Sequence, residues 1–288
     1  MPIKTSTLIA ATELLALQRE GTPCVLLDCG FDLADTAAGE RAHAHGHLPG
    51  AHYLHLERDM AGAKHDGQGR FRGRHPLPER DTFAALVGRL GITPGVVVVC
   101  YDAQGGPYAA RAWWMLRWLG HDAVAVLDGG PAAWLAAGGP LSADAVTLPD
   151  GPAYPPRDAT LATIDTAPLA RSLGRVRLVD ARSGERFRGE VEPLDAVAGH
   201  IPGARNRFFK DNLAADGRFK SAAQLHAEWA PLVAGHSADN VVQQCGSGVT
   251  ACHNLLALAH AGLGLGVLYP GSWSEWSSDA ARPVASGA

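Results

Sequence analysis

Toward the end of the chain stands Cys245-Gly246-Ser247-Gly248-Val249-Thr250, followed by Ala251-Cys252-His253. A cysteine, two glycines and then the start of an apolar run form a pattern with chemical meaning. Glycines let the backbone curl so that several N–H groups converge on one point. The start of a helix adds unpaired N–H groups and the positive end of its dipole. An anion held there is stabilised, and a thiol placed there is biased toward the nucleophilic thiolate. The pattern therefore predicts a cradle for an anionic sulfur centred on Cys245. A lone cysteine is more often a packing residue. Here the glycines and the strand-to-helix setting favour the reactive reading. Cys252-His253 resembles a reactive pair, but adjacent side chains diverge on a helix, so both are read as packing residues.

The elements that must position this loop can be read from the same sequence. Asn240–Gln244 is an extended run that stops at Cys245, and Ala251–Ala261 reads as the helix that follows. Val25–Asp28, Val96–Tyr101 and Val176–Asp180 are short apolar runs that read as buried strands. Thr12 is placed to cap a helix over Glu13–Arg19, and Ser221-Ala-Ala-Gln224 is a capping box that opens a helix toward Trp229. Ala109–Leu119 is another helix. Strand alternating with helix predicts an α/β fold, each sheet mostly parallel with helices on both faces. In such sheets the reactive site lies at the carboxyl ends of the strands, which is where Cys245 stands.

The chain also repeats itself. Leu26-Leu27-Asp28 returns as Leu178-Val179-Asp180, and His47-Leu48-Pro49-Gly50-Ala51 returns as His200-Ile201-Pro202-Gly203-Ala204. Gly69-Arg70-Phe71 returns as Gly217-Arg218-Phe219. Val98–Asp102 lines up with Val241–Cys245, and Gly129 and Trp134 line up with Gly271 and Trp276. The offsets drift only from 153 to 142, and the markers keep their order. This predicts two tandem domains, residues 1–145 and 160–288, joined by a proline-rich linker over 146–159. Asp102 stands where the second copy has Cys245. A carboxylate is not the thiolate nucleophile read at Cys245, and the stretch from Asp102 to Arg111 is four residues longer than that from Cys245 to Thr250. The first copy is therefore expected to be catalytically silent. Cys100, two positions earlier, reads as a buried strand residue.

Composition narrows the possible functions. The 288 residues suit about two domains, and 47% apolar with 19% charged residues is not the profile of a disordered chain. With 25 Lys and Arg against 29 Asp and Glu, and no basic run, a nucleic-acid partner is not expected. No stretch approaches the roughly 18 apolar residues of a membrane span, so no membrane partner is expected either. The apolar stretch from Leu8 is interrupted by Glu13 and Gln18 and no cleavage pattern follows, which argues against a signal peptide. Five cysteines with no C-x-x-C pair make neither a disulfide framework nor a zinc site. Thirteen histidines form no metal-ligand spacing. A cytoplasmic protein without a metal or organic cofactor is expected.

The loop at 245–250, the two His-Leu/Ile-Pro-Gly-Ala motifs, and Tyr269-Pro270-Gly271-Ser272-Trp273-Ser274-Glu275-Trp276 together resemble the tandem-domain rhodanese family of sulfurtransferases. The matches run from about residue 25 to 276, nearly the whole chain. The resemblance implies two tandem rhodanese-like domains. It also implies transfer of sulfane sulfur from thiosulfate or 3-mercaptopyruvate to a thiophilic acceptor, through a persulfide on Cys245. The partners implied are a small anionic sulfur donor and an acceptor that is cyanide, a thiol or a protein thiol. Backbone N–H groups from Gly246 through Ser247, Gly248 and Val249 to Thr250 would hold the charged sulfur. In the Pro-Gly-Ala and Gly-Ser-Trp elements the resemblance implies turn and core-packing roles.

The same resemblance suggests further site residues. Arg186, in Glu185-Arg186-Phe187-Arg188, matches an arginine that grips an anionic donor, and is favoured over Arg188. Ser247 would bond a substrate carbonyl or relay a proton. His75 matches a histidine that serves the site, with Asp59, or alternatively Glu57, as its carboxylate partner. The donor is left open. The loop resembles the mercaptopyruvate branch, because the thiosulfate branch usually has basic residues at the positions of Gly246 and Ser247. Yet an arginine that the mercaptopyruvate branch carries after Glu-Pro is missing here, where Glu192-Pro193 leads to Leu194 and Asp195. Two other readings are a phosphatase and a non-catalytic or protein-partner sulfur-relay module. The short loop without a basic residue disfavours the phosphatase. Retention of Cys245 disfavours a purely structural role.

Overall fold

The computed structural model describes residues 7–149, 151–159 and 161–288. Residues 1–6, 150 and 160 lie outside it, and with them the first residue of each expected domain and one residue of the expected linker. The chain forms two compact units. The first takes the described residues up to Ala61, those from Pro78 to 159, and Ala215–Phe219. The second takes Gly62–Leu77, Leu161–Ala214 and Lys220–Ala288.

In the first unit five strands make one sheet: β1 (Leu8–Ile9), β2 (Cys24–Asp28), β3 (His52–Tyr53), β4 (Val97–Tyr101) and β5 (Val124–Leu127), in the order β1-β5-β4-β2-β3. Every pairing is parallel. The β-branched run of β4 suits a strand buried on both faces. On one face Val99 and Tyr101 pack with Leu26 against Leu14, Leu15, Ala133 and Trp134. These last four come from helices Ala11–Arg19 and Gly130–Ala136. Val98 and Cys100 are equally buried and point the other way, and helix Pro107–Trp118 lies against β4 and β5. The described residues of the proline-rich stretch form neither helix nor strand and belong to this unit. Tyr154 is buried there, its hydroxyl bonded to His121 Nδ1.

The second unit repeats the plan with β6 (Ala162–Thr163), β7 (Arg177–Asp180), β8 (Arg205–Asn206), β9 (Val241–Gln244) and β10 (Val267–Leu268), in the order β6-β10-β9-β7-β8 and again all parallel. Strand for strand the two orders coincide, so β9 corresponds to β4 as the repeat predicts. Leu178, Val242 and Val267 pack against Leu169, Phe187, Trp273 and Trp276 on one face. Helix Thr250–His260 runs along β9 and β10. The fold class expected from the sequence, an α/β protein with two parallel sheets and their helices, is the one observed.

Most local expectations hold within one or two residues, and two do not. The Ser221 capping box is formed: Ser221 Oγ accepts the Gln224 N–H and Gln224 Oε1 accepts the Ser221 N–H. Thr12 caps nothing. The first helix starts at Ala11, and Glu13 instead accepts the N–H of Ala10. The stretch after Asp102 is no longer than that after Cys245. Helix Pro107–Trp118 begins earlier than expected, so both loops have five residues, 102–106 and 245–249. Pro107 suits the first turn of a helix, where its missing N–H costs nothing, and Gly106 at φ 97° makes the turn into it.

The motif histidines do the same work in each unit. His47 exchanges two backbone bonds with Ser142, and His200 exchanges two with Ala285. Their Nδ1 atoms bond the carbonyls of His43 and Phe187.

Candidate active site

Cys245 follows the last residue of β9 with 2% of its surface exposed. Its Sγ accepts N–H groups from Gly248 at 3.1 Å and Ser247 at 3.5 Å. Gly248 makes this curl possible. Its φ is +78°, and a Cβ there would stand 2.5 Å from the carbonyl oxygen of Pro270. Val249 then leads into the helix that begins at Thr250. The thiol of Cys252 donates to the Gly248 carbonyl and His253 is bonded to Asn212, both fully buried as packing residues are. Burial pushes the Cys24 thiol up to about 12 and the Cys29 thiol well above its ordinary range. Neither is a thiolate near neutral pH.

The loop is held from below by the segment Gly271–Trp276. Ser272 Oγ accepts the Cys245 N–H at 3.1 Å and donates to the Tyr269 carbonyl. Trp273 and Ser274 donate their N–H groups to the carbonyls of Cys245 and Gly246. Ser272 adopts φ 53°, and among the described non-glycine residues it alone has a positive φ. This left-handed conformation costs an L-residue about 1–2 kcal/mol, and it occurs where a hydroxyl must meet the cysteine amide. The Gly-Ser-Trp element thus does more than pack a core.

Beside the loop, Nδ1 of His75 lies 2.8 Å from Oγ of Ser247, with both residues buried. His75 belongs to the segment Gly62–Leu77 of the second unit. Arg186, on the helix Gly184–Arg188, has its guanidinium 3.5 Å from the point where a Cβ on Gly246 would sit. Glu192 holds it there through Nε at 3.2 Å and Nη2 at 2.6 Å. Arg188 turns elsewhere, to Glu190. Asp59 lies in the first unit, where it accepts the His55 N–H and pairs with Arg58. Glu57 lies on the same short helix, Leu56–Asp59.

Several site residues escaped sequence reasoning. Arg74, next to His75, brings Nη2 within 2.7 Å of the same Gly246 Cβ position, while its Nη1 is bonded to Asp195. Arg182 is buried, forks onto Asp180 and reaches Glu192 and the Gly199 carbonyl, with its guanidinium 4.8 Å over Trp273. Burial alone would raise the Glu192 carboxyl. Its bonds to Arg186 and the Leu194 N–H, together with the Arg182 charge, outweigh that and hold it below the ordinary range. The only sequence signals for this network were the clustering of Arg182, Arg186 and Glu192 and the Arg74-His75 adjacency.

In the first unit the corresponding loop is filled by its own side chain. Asp102 Oδ1 accepts the N–H groups of Gln104 and Gly106, and Oδ2 those of Tyr108 and Ala109, all at 2.8–2.9 Å. Burial pushes this carboxyl up, and the four donors oppose that rise. A proton on either oxygen would have to face a donor, so the loop fits the carboxylate. Among the described residues no group of His, Cys, Asp and Glu could hold a metal ion, and no helix is long and apolar enough to cross a membrane.

Comparison with known proteins matches the rhodanese-like domain twice, over residues 10–137 and 165–279. A Pseudomonas aeruginosa protein named "Probable 3-mercaptopyruvate sulfurtransferase" is 47% identical, covering 99% of this chain and 100% of its own. A Mycobacterium tuberculosis protein provisionally named as the thiosulfate sulfurtransferase SseB is 42% identical, covering 100% and 99%. Among solved structures, the 3-mercaptopyruvate sulfurtransferase from Leishmania major superposes with a TM-score of 0.81 at 29% identity, over 96% of this chain and 76% of its own.

Proposed function

Since the chain belongs to the rhodanese family, we propose that it is a sulfurtransferase that moves sulfane sulfur through a persulfide on Cys245. The observation that carries this reading is the position of Sγ. It lies at the carboxyl end of a central parallel strand, under two backbone N–H groups, with a guanidinium beside the next residue.

In the first half-reaction the Cys245 thiolate attacks the outer sulfur of the donor. With thiosulfate the S–S bond breaks and sulfite leaves with the electron pair. With 3-mercaptopyruvate the C–S bond breaks, and the enolate of pyruvate leaves and takes up a proton. In the second half-reaction cyanide or a thiolate attacks the outer sulfur of the persulfide, and the Cys245 thiolate leaves with the electron pair of that bond. The N–H groups of Ser247 and Gly248 are aimed at negative charge on sulfur in both half-reactions. The remaining loop residues, Gly246, Val249 and Thr250, shape the curl and the helix start. Ser247, bonded to His75, is placed to bond a donor carbonyl and pass a proton to a carbanionic leaving group. Arg186 holds the donor's anionic end.

The first copy is silent in this reading because Asp102 takes the place of the nucleophile. The relatives' names divide between the two donors, and both belong to the proposed substrate class. Five free thiols suit a reducing compartment such as the cytoplasm.

The reading is tested by the intact mass of the protein after brief exposure to each donor. Gain of one sulfur atom, absent in Cys245→Ser, is expected. No gain from either donor would overturn it in favour of a relay module fed by a protein partner.

A further inference from the structure

The first unit holds an apolar pocket of about 250 Å³. One wall is a single stripe of helix Ala11–Arg19, extended by Glu20 just past its end. Glu13, Ala16, Leu17 and Glu20 follow the i, i+3, i+4, i+7 spacing that places side chains on one face. The other wall is the edge strand β1 at Leu8 and the first residues of β4 and β5, Val97 and Val124. The pocket therefore lies at the amino ends of β4 and β5, whereas Asp102 follows the carboxyl end of β4. Ala16 offers only a methyl group between the two glutamates and is exposed, so the pocket opens to solvent along this stripe. The charges on its lining have one sign. Glu13 and Glu20 carry them, and among the described residues no Lys, Arg or His lines the pocket. The two carboxylates differ in what they already hold. Glu13 Oε2 accepts the Ala10 N–H at the start of the helix. Glu20 stands at the carboxyl end, where the helix dipole favours a cation, and its carboxylate has no ion partner among the described residues.

We propose that this pocket binds a small organic cation, an alkylammonium whose chain lies over Leu17, Val97 and Val124 and whose ammonium group meets Glu20. An apolar cavity of about 150 Å³ is enough for benzene, so the larger volume here takes an unbranched chain of about six carbons. Removing that chain from water provides the affinity, and the glutamates select the sign of the head group. An apolar carboxylate of the same length is repelled by Glu13 and Glu20, and a neutral alcohol gains nothing from the charge on Glu20. The inference goes beyond sulfur transfer. It gives the copy whose loop is closed by Asp102 a ligand site of its own, built wholly from residues of the first unit.

The test is calorimetric titration of the full chain with hexylammonium, hexanol and hexanoate. Hexylammonium should bind at a single site. Hexanol should bind about two- to fivefold more weakly, the span of an exposed ion pair, and hexanoate more weakly still. Butylammonium should bind about tenfold more weakly than hexylammonium, because two methylenes are lost. Ala16→Phe puts a ring into the pocket from an exposed position and should abolish saturable binding. Glu20→Gln should weaken hexylammonium to the level of hexanol and leave hexanol itself unchanged. Thermal melts establish that each variant is folded, and the ligand series on the unaltered protein decides the matter if Ala16→Phe is not. If hexanoate binds as tightly as hexylammonium, or Glu20→Gln weakens hexanol equally, the preference for a cation is overturned. Binding of hexylammonium that survives Ala16→Phe overturns the pocket as its site. If hexylammonium shows no saturable binding to the unaltered protein, the proposal falls.

Discussion

Nδ1 of His75 and Oγ of Ser247 are 2.8 Å apart although 172 positions separate them in the chain. The two donors make different demands on this pair. Sulfite is a stable anion and leaves without help, whereas the enolate of pyruvate needs a proton. Ser247→Ala should therefore lower kcat with 3-mercaptopyruvate by about a hundredfold, within the range for general acid catalysis, and lower it with thiosulfate much less. His75→Gln should follow the same pattern. Equal losses with both donors would mean that the pair only supports the loop.

Ser272 combines a strained backbone with a needed hydroxyl, and two substitutions separate the contributions. Ser272→Ala keeps the positive φ and strands the Cys245 N–H. It should cost about 1–3 kcal/mol of stability and slow sulfur uptake. Ser272→Gly relieves the backbone and should recover about 1 kcal/mol relative to alanine, without recovering the rate. Denaturant unfolding and sulfur uptake by mass measure the two effects. A glycine variant as fast as the unaltered protein would remove the hydroxyl from the mechanism.

Asp102→Asn probes the first loop. The amide must present its NH2 to backbone donors that now meet carboxylate oxygens, so two of the four bonds are lost. A destabilisation of about 2–4 kcal/mol is expected, read as a lowered melting temperature, while folded protein still loads sulfur on Cys245. No change in melting temperature would mean that the four bonds do not hold this loop.

Glu192 sets an acid limit. Its folded pKa lies below the unfolded one, so its contribution is present above the ordinary glutamate value of about 4.3 and is lost as pH falls through the folded value. Near neutral pH Glu192→Gln should cost about 3 kcal/mol, because Arg182 and Arg186 lose a buried partner. The gap between the two proteins should narrow as pH falls through the folded value. A gap that stays constant with pH would refute the ion pair as its source.

What could be read in advance was what local pattern encodes. The strand–glycine–helix grammar around Cys245, the Ser221 capping box and the duplicated plan follow from short-range sequence, and all are present. Arg74 could not be found that way. Its partner Asp195 is 121 positions distant, and its one local signal is that it precedes His75. Ser272 was visible as part of a motif, but its bond to the Cys245 amide depends on a φ that sequence does not announce. The first loop is shorter than expected because its helix starts at Pro107, two residues before Ala109, with Gly106 making the turn into it.

The two loops have the same length and stand at the end of corresponding strands, yet only one is filled by a carboxyl of its own. In the proposed mechanism negative charge comes to Cys245 and leaves again, and the duplicate holds the Asp102 carboxyl at that place. In that reading the first copy resembles the occupied state. Its four N–H bonds, against two on Sγ in the second copy, show how many donors this fold can turn inward when the anion never departs.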